Sequence, residues 1–342
     1  MWRRRMTVDE YRRLGLSERP VAERRLFLGA YGALKFSLAI TGRSARRGLV
    51  GDKLYFDTLM AGAGFPVVTS LGVIGRAGAA RVPELRDGPA LRKLLRAEGG
   101  AIFIKPVVAQ GVTQPIAVMG YDAGANLAMT SEGTMAPRKL LALAARRMPQ
   151  GALVQRRLRQ HGRVAAAIGS SIGSLRLTTL MTDAGPRLVQ SFWRIPCGAA
   201  VADHLWRGNL VAALDGNRVV RAVDRLDAQA PVVEVHPTTG AALRGFDMPD
   251  YGQALALAQQ AAAFLCELPL IGWDIALTED GPVIVEANAN PSLDLPQYLS
   301  GEGVLSQPDL AAAWAERASK RRAQARARRA RRLSAFRLQR NR

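Results

Sequence analysis

The sequence predicts an α+β fold built on antiparallel sheets, and three observations carry that prediction. Helix-patterned and strand-patterned stretches fall in separate runs, which disfavours a doubly wound parallel sheet. Residues 271–290, IGWDIALTEDGPVIVEANAN, read as two strands about a tight turn. The chain's 342 residues, 48% of them apolar, suffice for two or three packed subdomains.

The elements follow in order. Residues 1–47 read as helical and basic. Within them LFLGAYGALKFSLAI (26–40) is a helix that either packs on the body or lies on a membrane surface; Lys35 interrupts it, and it is too short to span a bilayer. GDKLYFDTLMAGAGFPVVTSLGVI (51–74) reads as helix, glycine turn and strand. Leu54, Phe56, Leu59 and Met60 keep near-helical spacing until GAGFP breaks it. A short helix is expected over 90–97. Strands are expected within 99–111, with Lys105 near the end, and over 115–122. An amphipathic helix follows at 136–148, then a strand and connector at 151–161. Several strands are expected between 164 and 224, among them SLRLTTLMT, RLVQSFWRI and NLVAALD. A long helix, 248–268, starts at Pro249-Asp250.

Charge is unevenly placed. The net charge is +20, but residues 1–47 carry 12 Lys/Arg against 4 Asp/Glu, and residues 316–342 carry 12 against 1. That leaves 24 against 23 between them, so the body is nearly neutral and its fold is not governed by the overall basicity. Cys197 and Cys266 stand alone, with no CxxC. This predicts a reducing, cytoplasmic setting and argues against a zinc module. The histidines, His161, His204 and His236, are too scattered to suggest a metal cluster.

The hairpin poses a chemical question. With Glu279-Asp280-Gly281 as a three-residue loop, Thr278 faces Pro282 and Asp274 stands opposite Glu286. Asn288 then lies two residues further on the same face. Two facing carboxylates in apolar surroundings repel each other. A cation between them relieves this, and three hard oxygens suit Mg²⁺ completed by water and phosphate. A solvated hairpin end with a capping Asn fits the same residues.

This hairpin, preceded by VHPTTGAALRGFDMP (235–249), resembles the closing hairpin of the ATP-grasp superfamily, especially its sugar-transferase-associated branch. The resemblance spans residues 51–298 and implies an ATP-grasp fold: two α+β subdomains with antiparallel sheets clamping a nucleotide, with helical basic extensions at either end. On that basis the chain divides into an extension (1–47), a linker region (48–98), an N-subdomain (99–155), a C-subdomain with the metal hairpin (156–300) and an Ala/Arg-rich tail (301–342).

The resemblance further implies ATP with Mg²⁺, two ions in the family arrangement and Mn²⁺ as a substitute, held by Asp274, Glu286 and Asn288. Lys105, in IFIKP, matches the lysine that meets the α/β phosphates, and Lys53, in GDKLYF, a second phosphate lysine. Gln155, in LVQRRL, takes the place of a frequent hinge Glu, and main-chain groups of Arg156 and Leu158 would meet adenine. Arg176, in SLRLTTL, matches an arginine near the γ-phosphate, so Arg176 and Lys105 are the expected catalytic cations. From the residues alone each has a structural alternative. The lysines could be solvated, Arg176 could belong to the polar face of a half-buried strand, and His236 could be a hydrogen-bonding turn residue. Asp203, His204 and Arg207 are candidates for an acceptor pocket.

Two departures from the family pattern stand out. The phosphate-covering stretch VVAQGVTQP offers only Gly111, so few positions can take positive φ close to a phosphate. The 50 residues before Gly51 leave no room for a Rossmann-like first domain. No GxxxxGK[ST] occurs, which disfavours a P-loop NTPase.

The implied function is ATP-dependent ligation of a small-molecule carboxylate to an amine or other nucleophile through an acylphosphate, with ADP released. The alternative is a catalytically weak nucleotide-binding module acting as a partner platform. The branch name associates the chain with cell-envelope polysaccharide biosynthesis without naming a substrate. The basic ends suit an anionic membrane surface, which would make the protein cytoplasmic and peripheral to the inner membrane, or else they are simply solvated. Nucleic acid is disfavoured: the folded body is neutral, and Phe336 is the tail's one aromatic after residue 318.

Overall fold

The computed structural model describes residues 6–42, 47–78, 82–108, 113–198, 208–317 and 319. Two six-stranded sheets, antiparallel throughout, form the frame. The first contains β1 (Ser70–Ile74), β2 (Ile102–Pro106), β3 (Ile116–Asp122), β4 (Leu127–Thr130), β5 (Gly133–Met135) and β6 (Ala152–Arg156), in the order β1-β6-β2-β3-β4-β5. The second contains β7 (Ser174–Thr182), β8 (Gly185–Ile195), β9 (Leu210–Asp215), β10 (Arg218–Val223), β11 (Leu270–Thr278) and β12 (Gly281–Asn288), in the order β10-β9-β8-β7-β11-β12. The α+β class with antiparallel sheets is therefore the observed one.

An N-terminal segment precedes them: α1 (Val8–Arg13), α2 (Val21–Arg24) and α3 (Ala30–Thr41), with α4 (Arg47–Gly51) leading into α5 (Lys53–Gly62). One face of the first sheet is covered by α6 (Gly88–Ala97) and α7 (Pro137–Arg147). Their Leu91, Leu95, Leu140 and Ala144 bury Ile102, Ile104, Ile116 and Val154. The opposite face turns Val73 and Leu153 against Leu54 of α5. Strand alternation then puts Lys105 and Gln155 on that same face, because Lys105 pairs with Leu153 and Gln155 with Phe103.

The second sheet repeats the scheme. Small residues on α9 (Tyr251–Phe264), Ala254, Ala258 and Ala261, let it sit close over Trp193, Trp273, Leu175, Leu177 and Ile275, while α8 (Gly162–Ile168) closes one side. The Trp273 indole N–H is satisfied by Thr179 Oγ1 at 2.9 Å. Residues alternating with these, Arg176, Arg194 and Asp274, point to the face away from α9.

The 26–40 stretch packs on the body as α3. Ala33 and Phe36 are buried with Leu270, Leu293, Leu305 and Leu310, and Phe36 meets Trp314 edge-on at 5.0 Å. The buried side chain of Gln297, on α10 (Leu295–Ser300), accepts from the Leu28 and Val304 amides (2.9 and 3.1 Å) and donates to the Leu28 carbonyl (2.7 Å). Among the described residues no helix is long and apolar enough to cross a membrane. Most of the basic tail, 318 and 320–342, lies outside the described residues.

Three hairpins close on the same chemistry. In TSEG, TDAG and TEDG the threonine hydroxyl donates to the glycine carbonyl (Thr130–Gly133 2.7 Å, Thr182–Gly185 2.8 Å, Thr278–Gly281 2.7 Å). Each glycine takes φ between +95° and +103°, a region that penalises any Cβ.

Candidate active site

The closing hairpin differs from the expected loop and still delivers the expected pair. Thr278 pairs directly with Gly281, so the loop has two residues rather than three. From Leu277↔Pro282 to Ile275↔Ile284 the register is one residue away from the expected one. A bulge at Val285 then restores it, and Asp274 pairs with Glu286 and Gly272 with Asn288. Without that bulge Glu286 would turn to the other face.

Mutual repulsion between the two acids is relieved by protein cations. Arg176, directly across the ladder from Asp274, grips it with two bonds, Nε to Oδ1 at 2.5 Å and Nη2 to Oδ2 at 2.8 Å. Arg194 adds a third, Nη1 to Oδ2 at 3.1 Å. Burial pushes the Asp274 carboxyl up, against the pull of Arg176 and Arg194. For Glu286, burial alone would raise the carboxyl, but Lys53, Lys105 and Arg176 outweigh it and hold it well below the usual range. Lys53 Nζ lies 3.5 Å from Glu286 Oε2, and Asn288 Nδ2 donates to Glu286 Oε1 at 3.2 Å.

Gly272 is the site's close-packing residue. A Cβ there would stand 2.9 Å from Pro291 Cβ and 3.3 Å from Arg176 Nη1, so the loop after the hairpin and the arginine both need its absence.

The lysines come from the first sheet's side. Asp52 caps α5, accepting from the Leu54 and Tyr55 amides (3.1 and 3.2 Å), and aims Lys53, the helix's first residue, at Glu286. Lys105 is buried and donates to the Val285 carbonyl at 3.2 Å, the residue that bulges from the ladder. Burial pushes the Lys105 ammonium down, against the support of Asp57 and Glu286.

Asp57 and Arg194 belong to this cluster and were not among the candidates. Asp57 Oδ2 accepts from Gln155 Nε2 at 2.6 Å and Ser70 Oγ at 2.8 Å. Burial pushes its carboxyl up, against Lys105, Ser70 and Gln155. The available signal was an acid three residues after Leu54, on the core-facing spacing of α5. Arg194 shared its face with Phe192 but sat in no recognisable motif.

The structure thus brings Lys53, Lys105, Gln155, Arg176, Asp274, Glu286 and Asn288 to the facing sides of the two sheets. Arg156 lies at the edge of this group. Its amide donates to the Thr69 carbonyl (2.9 Å), and its guanidinium forks onto Glu98 (2.7 and 2.9 Å). Leu158 is half-buried in the connector after β6. His236 is a turn residue. Its Nδ1 accepts from the Thr239 amide (3.2 Å), which leaves Nε2 to donate to the Pro196 carbonyl (2.9 Å). Gly111, Asp203, His204 and Arg207 lie outside the described residues.

The donor set suits a hard divalent ion. A carboxylate has about four lone-pair sites. The three arginine bonds leave room on Asp274 Oδ1, Glu286 keeps Oε2 toward Lys53, and Asn288, donating through Nδ2, keeps its carbonyl oxygen. Among the described residues no group of three or more His, Cys, Asp or Glu could hold a metal by itself, so an ion here would need the Asn and ligand oxygens.

Two antiparallel sheets facing each other across a cluster of lysines, arginines and acids define an ATP-grasp protein. The sugar-transfer associated ATP-grasp family model matches residues 42–311, and the chain belongs to that family. No curated protein matches it. Among solved structures it is similar to D-alanyl-alanine synthetase A from Vibrio cholerae O1 biovar eltor str. N16961 (9% identity, 76% of this chain and 60% of that one, TM-score 0.41). It is also similar to a biotin carboxylase from Campylobacter jejuni (13%, 78% and 47%, TM-score 0.47). A third likeness is the biotin carboxylase domain of Hydrogenobacter thermophilus 2-oxoglutarate carboxylase, solved with MgADP and bicarbonate (13%, 78% and 46%, TM-score 0.42). The chain spans less than two thirds of the length of each.

Proposed function

We propose that the protein is an ADP-forming ligase that joins a carboxylate to an amine or another nucleophile. The observation that carries this reading is the meeting of two lysines from one sheet's side with the acid pair of the other: Lys53 on Glu286 and Lys105 on the adjacent Val285 carbonyl. Family membership supports it. Lys53, Lys105, Arg176 and Arg194 gather beside Asp57, Asp274 and Glu286, a concentration of cations suited to a polyanion such as a triphosphate.

Asp274, Glu286 and Asn288 would hold Mg²⁺, whose chemistry is to neutralise phosphate charge. Lys105 and Lys53 would orient the phosphates, and Arg176, fixed by Asp274, would face the γ-phosphate. A substrate carboxylate attacks the γ-phosphorus, and ADP leaves. The nucleophile then attacks the acylphosphate carbon, phosphate leaves, and the nucleophile's proton passes to solvent. The chain's contribution is positioning and charge compensation rather than covalent chemistry. Main-chain groups of Arg156 and Leu158 would meet adenine. The acid and nucleophile belong, on this reading, to cell-envelope polysaccharide chemistry.

The test is calorimetric titration with Mg·ADP. Wild-type protein binds, and Glu286→Ala does not while remaining folded. Equal binding by both would remove the hairpin from the mechanism. A second reading, a nucleotide-binding platform with little turnover, is favoured by the single glycine of VVAQGVTQP. Binding of Mg·ADP without ADP release from Mg·ATP across a panel of acids and amines would select it.

A further inference from the structure

A cavity of about 390 Å³ lies between α3 and the loop that follows β12. That is the size of a small-molecule site. One wall is carbon: Tyr31 and Leu34 on α3, 50% and 39% exposed, with Pro291 beside them. The other is polar: Asn290, Ser292 and Asp294. Both walls are tied down. Thr41 Oγ1, at the end of α3, donates to the Ala289 carbonyl at 3.1 Å, and Gln190 Nε2, on β8, donates to the Leu293 carbonyl at 3.0 Å. The space is therefore built into the fold. It also adjoins the proposed site of chemistry. A Cβ on Gly272 would stand 2.9 Å from Pro291 Cβ and 3.3 Å from Arg176 Nη1, so one glycine separates the cavity's Pro291 from the arginine that would face the γ-phosphate.

The polar wall holds acceptors and lacks cations. Burial pushes the half-buried Asp294 carboxyl up, against the Asp294 and Leu295 amides, and Glu10 pushes it further. Among the described residues no Lys, Arg or His forms an ion pair with Asp294. Lys35, one turn along α3 from Tyr31, lies over the Tyr31 ring instead, 5.3 Å from its centroid. Asn290 Oδ1 likewise meets no donor among the described residues. An acid drawn out of water beside a second acid is costly without a cation. The group that brings positive charge and several donors together, and accepts nothing, is an ammonium. We infer that this cavity is the nucleophile's site and that it takes a primary amine, its ammonium group on Asp294 and its carbon body against Tyr31 and Leu34. The acid wall then selects an amine over a thiol or a hydroxyl, which bring no charge. These residues bind the amine. It gives one proton to solvent before its nitrogen attacks the acylphosphate carbon, in the ligation already described.

This rests on the ligase reading above, and its test separates the two. Wild-type protein saturated with Mg·ADP is titrated calorimetrically at neutral pH with benzylamine and with benzyl alcohol, which share a carbon body and differ in charge. Benzylamine should bind, and benzyl alcohol at least about tenfold more weakly, as loss of a charge-assisted hydrogen bond requires. Asp294→Asn, checked for folding by circular dichroism, should lose benzylamine affinity by a similar factor and keep Mg·ADP. Leu34→Trp, at an exposed helix position on the cavity wall, should narrow the space and do the same. No wild-type binding of Mg·ADP defeats the proposed function, and this inference with it. Mg·ADP binding without benzylamine binding, or with equal affinity for the alcohol, overturns only the amine assignment. Full benzylamine affinity in both variants puts the amine elsewhere and also overturns it. Should Asp294→Asn not fold, Leu34→Trp and the wild-type comparison decide.

Discussion

The two sheets solve the burial of charge in different ways. On the second, Asp274 is closed by three guanidinium bonds across adjacent strands, a saturated ion network. On the first, Asp57 is held by an amide and a hydroxyl, and among the described residues its other oxygen meets no donor. A saturated network fixes the frame on which the hairpin acids stand. An unsaturated one depends on charge at longer range, here the buried Lys105. The difference teaches that one polar face is closed by its own strands, while the other leans on its neighbours.

Breaking the second network should have the largest effect. Arg176→Ala leaves a buried carboxylate with only Arg194, and removing one partner of a buried pair costs about 3–5 kcal/mol. Chemical denaturation checks this. An unchanged midpoint would mean the network contributes nothing to the frame. Next comes function. Glu286→Ala should lower any ADP-forming turnover on the order of 10²-fold or more while the midpoint moves little, because Glu286 is partly exposed and Asp274 keeps its arginines. Equal changes in both readouts would erase the contrast between frame and site. Ser70→Ala, on the first sheet, removes one neutral donor and should cost about 1 kcal/mol, well below Arg176→Ala.

The smallest effect separates the sheets by sign. Glu286 is held well below the ordinary glutamate range, so its contribution is present above that range and is lost as pH falls below about 4.3. Asp57 is pushed up, so the folded state binds its proton more readily than the unfolded chain, and stability changes in the opposite sense as pH falls. Thermal melting from pH 6 to 3 should show a shallower acid loss for Glu286→Gln than for wild type, and a steeper one for Asp57→Asn. The same slope in all three would cancel the distinction.

How much of this was legible follows from where each side chain is mounted. Asp274, Glu286 and Asn288 sit on one hairpin whose period of two assigns a face, so they could be placed together from order alone, whereas Arg176 joined them only through the family resemblance. The pairing of Asp274 with Glu286 was anticipated with a loop one residue too long, and the bulge at Val285 supplied the compensation. Nothing in PVIVEAN marks that bulge, because the ladder gives up a residue there for the sake of a contact 180 positions away. Asp57 required knowing that α5 packs on the first sheet, a tertiary fact. β4 and β5 escaped notice because they are short and carry glycine and threonine in place of a long apolar alternation. The threonine–glycine closure shared by TSEG, TDAG and TEDG was readable and would have flagged the one hairpin of the three whose strands were missed, that of TSEG between β4 and β5.

Lys105 reaches the hairpin through a main-chain oxygen, that of Val285. Every amino acid supplies that oxygen, so drift in the identity of residue 285 leaves the anchor in place. Insertion or deletion between the turn and Glu286 would not. The segment is therefore tolerant of spelling and intolerant of length, and variants of this chain should accumulate exchanges there long before they accept a single added or missing codon.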